Sequence, residues 1–310
     1  MRGHGGVRMI AMVRRLAKAG AETILTIPPA LALLKQRLRG KVVVLAYHNV
    51  IPDHEPLTGG HGAHIRLKDF QWQMDLVEDL CEIVPLESVL EPPEDPTTYR
   101  AAITFDDAYV GTLREALPEL VKRRLPATVF VPSGLVGQGA FWWDDLGISG
   151  WQGERYPLVA LRGNTEEIRR WATSIGIVAR DQGPSQVAAA EDLILASKDL
   201  PGVTFGVHTA RHLNLSQLSA VEITREVGEC YSWIQDRGLS TSRWVSYPYG
   251  LTSRRVEHVL RSQGFSGGLI ITGGLFTPPG GNAFQTPRLL IPAGLSRKNF
   301  MLRLVGLISS

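Results

Sequence analysis

Val42–Tyr47 reads VVVLAY. A strand with one wet face alternates apolar and polar residues. This run does not, so both of its faces are covered, as in parallel sheets flanked by helices. Outward from it the pattern recurs. Residues 101–105 (AAITF), Ala127–Val131 (ATVFV) and Val203–Val207 (VTFGV) read as buried strands, and residues 244–247 and 268–271 as strand-like segments. Between them run helical periodicities: Leu67–Leu80 with Phe70, Met74 and Val77 on one stripe, residues 112–123, residues 220–237 with Ile223, Val227, Tyr231 and Ile234 inward, and residues 254–263. Strands alternating with helices predict parallel pairing in an α/β sheet or barrel. A chain of 310 residues is an ordinary length for such a barrel as one domain.

Residues 132–202 are too long for a plain loop in a compact domain. They carry Trp142, Trp143, Trp151 and Trp171 and two helical stretches, 165–175 and 185–197, so they read as an insertion at one end of the strands. The main domain then spans residues 41–310, preceded by a basic helical extension over residues 1–40. That extension holds eight Lys and Arg against Glu22 alone, a net of +7, which leaves −4 on the rest of a chain whose formal charge is +3. So small a total excludes a general polyanion binder, and no nucleic-acid partner is expected. The apolar stretch 23–34 is broken by Pro28-Pro29 and is too short to span a bilayer. The extension reads as a solvated helical arm or as a contact to an anionic membrane surface. Cys81 and Cys230 form no CxxC motif and no disulfide framework, and read as buried free thiols of a reducing compartment.

Four short segments follow the predicted strands, at the end where parallel α/β folds build their sites. In Thr104-Phe105-Asp106-Asp107 two adjacent carboxylates need a partner if buried; beside a cation, one can coordinate and the other act as a base. The alternative is a surface turn or helix N-cap. In His208-Thr209-Ala210-Arg211-His212 the i, i+4 spacing places both rings on one side of a helical turn, where they can share a metal. One Asp and two His would leave a coordination position open for water, as in catalytic zinc sites. Ser246-Tyr247-Pro248-Tyr249-Gly250 suits a sugar-binding wall with a backbone N–H turned to the substrate, or a simple turn. Ala46-Tyr47-His48-Asn49 adds a histidine at the end of the first strand, structural or catalytic.

TFDD, HTARH and YPYG in this order resemble the polysaccharide deacetylases with the NodB-homology domain, carbohydrate esterase family four, over about residues 40–295. YHNV at 47–50 and Phe141-Trp142-Trp143-Asp144 are similar to an exopolysaccharide-associated bacterial subgroup. The resemblance implies a distorted (β/α)7 barrel. It implies a metal triad of Asp107, His208 and His212, usually holding one zinc ion, with cobalt, nickel and manganese as alternatives. Asp106 matches the general base, and the Tyr249 backbone N–H matches an oxyanion donor. Pro248, Tyr247, Trp143 and Asp144 are taken as lining the substrate site.

This chain departs from the family at three points. No histidine follows His258, so the usual C-terminal general acid is missing and His48 is the substitute. Ser246 stands where many members carry a base-orienting arginine, and Arg288 is the replacement candidate. Ala108 replaces the glycine that usually follows the DD pair. The expected activity is N-deacetylation of an acetamido sugar in a glycan or glycan precursor, in the cytoplasm, peripheral to the inner face of the membrane. The alternatives are hydrolysis of another acyl or C–N bond, such as an O-acetyl ester or cyclic amide, or a glycan-binding pseudoenzyme.

Overall fold

A computed structural model of the chain describes residues 34, 36–55, 62–146, 159–178 and 185–308. The first half of the chain builds β1 (Val42–Tyr47), β2 (Asn49–Ile51), β3 (His64–Arg66), α1 (Leu67–Leu80), β4 (Glu82–Ile83), β5 (Arg100–Phe105), α2 (Leu117–Arg123) and β6 (Ala127–Val131). The insertion carries α3 (Trp142–Asp145), α4 (Thr165–Ser174) and α5 (Ala190–Asp199). Then come β7 (Val203–Val207), α6 (Ala220–Asp236), β8 (Thr241–Ser246), α7 (Arg254–Ser262), β9 (Gly267–Ile270), β10 (Thr286–Pro287), β11 (Leu289–Leu290) and α8 (Arg297–Leu304).

The main sheet runs β10-β9-β8-β7-β6-β5-β1-β11 with every neighbour parallel, and β4 adds to β5 off that path. β10 and β11 are separated only by Arg288. β10 pairs with β9 at one edge of the sheet and β11 with β1 at the other. One short segment thus stitches the two edges together and closes a distorted (β/α)7 barrel. Residues 286–290 carry no strand periodicity, and Pro287 argues against a ladder strand, so sequence reading passes over this seam.

Alternation along the strands sorts residues into two layers. Val42, Val44, Ala102, Phe130, Trp244 and Leu269 form a cluster inside the barrel. Val43, Leu45, Tyr47, Ala101, Ile103, Phe105, Val129, Val207 and Val245 face outward, into the core beneath the helices. Phe130 and Trp244 plug the interior, and two glycines make room for them. A Cβ at Gly206 would lie 2.5 Å from the Phe130 ring, and one at Gly267 2.5 Å from the Trp244 ring. As the stripe predicts, α1 buries Phe70, Met74 and Val77.

Three expectations shift. Residues 112–116 form a wide π turn before α2, because Pro118 has no N–H to offer the preceding turn. α5 starts at Ala190 rather than 185, since Gln186 and Val187 are drawn into β-bridges with Ala140 and Tyr109. Tyr231 is only partly buried and packs edge-on against Phe265.

The basic extension falls on residues largely outside those described, and so does Trp151. Leu34 and Leu38 are described and pack into the main core. Cys81 and Cys230 are buried and free. Among the described residues, no helix is long and apolar enough to cross a membrane.

Candidate active site

Strand register assembles the site. β1 and β5 pair from Val42↔Arg100 to Tyr47↔Phe105, so they end together, and Asp106 N–H donates to Tyr47 O at 2.9 Å. β6 and β7 end together at Val131↔Val207, and His208 N–H donates to Val131 O. Asp106 continues the inward-facing set of Ala102 and Thr104 and therefore points into the mouth of the barrel.

The next residues leave strand geometry. Asp107 and Ala108 have φ of 72° and 51°, a left-handed turn that Asp accepts more readily than most residues. Ala108 takes φ of 51° at a steric cost that the usual glycine would avoid. Residues 208–212 are not the helical turn that the i, i+4 spacing suggests. Thr209 and His212 have φ of 65° and 56°, and this left-handed kinking, not helical periodicity, brings the two imidazole centroids to 4.7 Å.

His208 Nε2 and His212 Nε2 each lie 3.4 Å from Asp107 Oδ1. One ligand atom from each of the three residues falls within 4.8 Å of the others, and all three residues are buried. Asp107 Oδ1 is a buried oxygen with no hydrogen-bond partner, and His212 Nδ1 likewise has none. Leaving a buried carboxylate oxygen unpaired is costly, and a divalent cation would remove that cost. His208 Nδ1 donates to Ser246 O at 2.8 Å, which fixes the tautomer and leaves Nε2 as the lone-pair donor. Burial and the neighbouring His208 push His212 down to about 3, so its ring is neutral, as a ligand must be. Burial alone would also lower His208, but Asp106 and Asp107 beside it raise it above the usual value. The point where the three side chains meet therefore favours positive charge. The donor set of one oxygen and two imidazole nitrogens fits a zinc-like ion.

Arg288 reaches the same point from the seam. Its Nη1 donates to Asp106 Oδ1 at 2.8 Å and its Nη2 to Asp106 Oδ2 at 2.7 Å. Nη2 also donates to Ser246 Oγ at 2.8 Å and Nη1 to Thr104 Oγ1 at 3.3 Å. Burial would raise the Asp106 carboxyl, but the Arg288 charge, then His208, hold it well below the usual carboxylate range. The guanidinium is wholly buried, so this fork is unscreened by solvent. Removing one partner of such a pair leaves an uncompensated buried charge. Arg288→Leu is therefore expected to lower unfolding stability by about 3–5 kcal/mol. Urea denaturation checks this, and a loss below about 1 kcal/mol would show that the pair is not held in this desolvated form.

His48 follows β1 at the same rim and is partly buried. His258 is exposed on α7. Tyr249 has φ 60° and sits with Pro248 in a short 3₁₀ turn, its ring edge-on to His212 at 4.8 Å. Tyr247 departs from its expected place. It falls on the outward parity of β8, its ring lies in the core under the helices, and its hydroxyl donates to Phe284 O. Trp143 and Asp144 are also not at an open sugar-binding face. Trp143 stacks on Phe141 at 4.4 Å and flanks His212 at 5.1 Å, and its Nε1 donates to Tyr109 Oη. Asp144 is fully buried between His64 and Tyr109, because a carboxylate at that depth must be paired. His64, Tyr109 and Ser185, all absent from the sequence reading, line this network. Their only sequence signal is that Tyr109 stands two residues beyond the DD pair.

Residues 94–268 match the family model described as polysaccharide deacetylase. No curated protein matches the chain. Among solved structures, the chain is similar to the Streptococcus pyogenes deacetylase PplD in complex with acetate, at 17% identity and TM-score 0.61 over 86% of this chain and 99% of that one. It is similar to IcaB from Ammonifex degensii at 20% identity and TM-score 0.60, covering 87% and 97%. It is also similar to the BpsB deacetylase domain from Bordetella bronchiseptica at 16% identity and TM-score 0.54, covering 82% and 97%.

Proposed function

Since the chain belongs to the polysaccharide deacetylase family, we propose that it hydrolyses the acetamido group of an N-acetylated sugar in a glycan or glycan precursor, with one divalent ion held by Asp107, His208 and His212. The observation that carries this reading is a buried Asp/His/His donor set with an unpaired carboxylate oxygen, directly beside a second carboxylate locked by an arginine fork.

An amide carbonyl is a poor electrophile; when bound, the ion polarises it and makes water more acidic. Asp106, kept ionised by Arg288, accepts the proton of the attacking water as the new C–O bond forms. The Tyr249 backbone N–H is the donor assigned to the oxyanion. His48 then gives a proton to the departing amine as the C–N bond breaks, releasing acetate and the free amino sugar. Zinc is the first choice of ion because the donor set matches its common ligands. YHNV and FWWD support an exopolysaccharide substrate. The basic residues 1–40 support contact with an anionic membrane at its cytoplasmic face.

The test is release of acetate from a panel of N-acetylated oligosaccharides, with and without chelator. Acetate is expected to appear in proportion to bound metal, to stop on chelation and to return with zinc. Release of ammonia instead of acetate, or acetate release only from O-acetylated substrates, would redirect the reading to another C–N or acyl bond.

A further inference from the structure

Behind the site, five side chains form a directional chain of hydrogen bonds. Asn49 Nδ2 donates to His64 Nδ1 at 3.0 Å, which leaves the His64 proton on Nε2. His64 Nε2 then donates to Asp144 Oδ1 at 2.9 Å. Tyr109 Oη donates to Asp144 Oδ2 at 2.7 Å and accepts from Trp143 Nε1 at 3.0 Å. Asp144 and His64 are buried, and the donors come from separate segments of the chain.

The two ends of this chain lie at the two halves of the catalytic machinery. Asn49 is the residue after His48. It is paired in register with His64 in the small β2–β3 sheet, and Thr112 Oγ1 donates to His48 O at 2.5 Å. Trp143 forms the wall against His212, and Tyr109 stands two residues beyond Asp107. We propose that this network is a positioning device for the deacetylation, fixing His48 relative to the metal triad; it rests on the reaction proposed above. His48 and the triad are carried by different loops, and proton transfer to a leaving amine tolerates little misplacement, about 1 Å costing on the order of 100-fold. The buried Asp144 carboxylate ties both loops through donors that must all be present at once. Its members act through their neighbours, so they are positioning residues.

The experiment combines Asp144→Asn and Tyr109→Phe, each alone and with His48→Ala, reading kcat, KM, metal content and Tm. Asparagine can still accept from His64, and the Tyr109 hydroxyl can turn to accept from its amide, so Asp144→Asn is expected to fold and keep one metal per chain. Its kcat is expected to fall roughly tenfold with KM within about twofold. In the His48→Ala background the same substitution is expected to change kcat by less than about twofold, while the Tm losses add. An unchanged kcat with lowered Tm overturns the proposal, as does an equal loss of kcat in both backgrounds. Should Asp144→Asn fail to fold, Tyr109→Phe, which keeps the ring, decides on the same criteria. A wild-type protein that releases no acetate from any acetylated glycan sinks the proposed reaction itself, before any variant is compared.

Discussion

Asp107→Ala and His212→Ala are each expected to lose stoichiometric metal and essentially all turnover. Asp107 supplies the single anionic donor, and its Oδ1 lies 3.4 Å from both imidazole nitrogens. Without it, His208 and His212 offer two neutral nitrogens and no charge to balance a dication. Without His212, the set falls to two ligands, below the three usual for catalytic zinc. The stabilisation at stake is several kcal/mol, and about 1.4 kcal/mol is tenfold in rate, so the fall in kcat is expected to be about 10³-fold or more. Metal analysis of the purified variants and acetate release measured in parallel check this. Full occupancy in both variants would remove the triad assignment, whatever happens to the rate.

Asp106→Asn is expected to separate chemistry from metal binding. The side chain keeps its size, and Asp106 is not among the three residues that converge as ligands. Metal content should stay at one per chain. The amide is a far weaker base than the carboxylate, and general-base assistance contributes typically 10²–10⁴-fold, so kcat should fall within that range with little change in KM. Part of the Arg288 fork is lost as well, because an amide nitrogen cannot accept from Nη2. A lower Tm should therefore accompany the lost turnover. Turnover within about threefold of wild type would assign the proton to another group.

These three variants concern residues legible in the sequence. Asp106, Asp107, His208 and His212 follow buried apolar runs, and alternation within those runs already points Asp106 and His208 inward. The resemblance to the deacetylases rests on the same segments. Arg288 is different. It was a candidate only because Ser246 lacks the usual arginine, and nothing in residues 286–290 marks a strand. Its partner lies 182 residues away. The two meet because β10 and β11 join opposite edges of one sheet, a relation set by strand order.

The sequence by itself determined the alternating α/β architecture, the strand ends that carry chemistry and the identity of the ligand and base candidates. The architecture and the strand ends depend on periodicities of two and of about 3.6 residues, which near neighbours along the chain encode; the ligand and base roles rest on the resemblance carried by TFDD and HTARH. Only the tertiary structure decided that Arg288 forks onto Asp106, and that Tyr247 turns into the helix-covered core. It likewise decided that a left-handed kink rather than a helical turn joins His208 to His212. It also buried Asp144 against His64 and Tyr109 instead of opening it to a sugar. Each of these depends on register and closure, because a buried charge takes whichever partner the packed strands bring within about 3 Å. That partner is fixed by contacts between segments far apart in the chain, which no local pattern records.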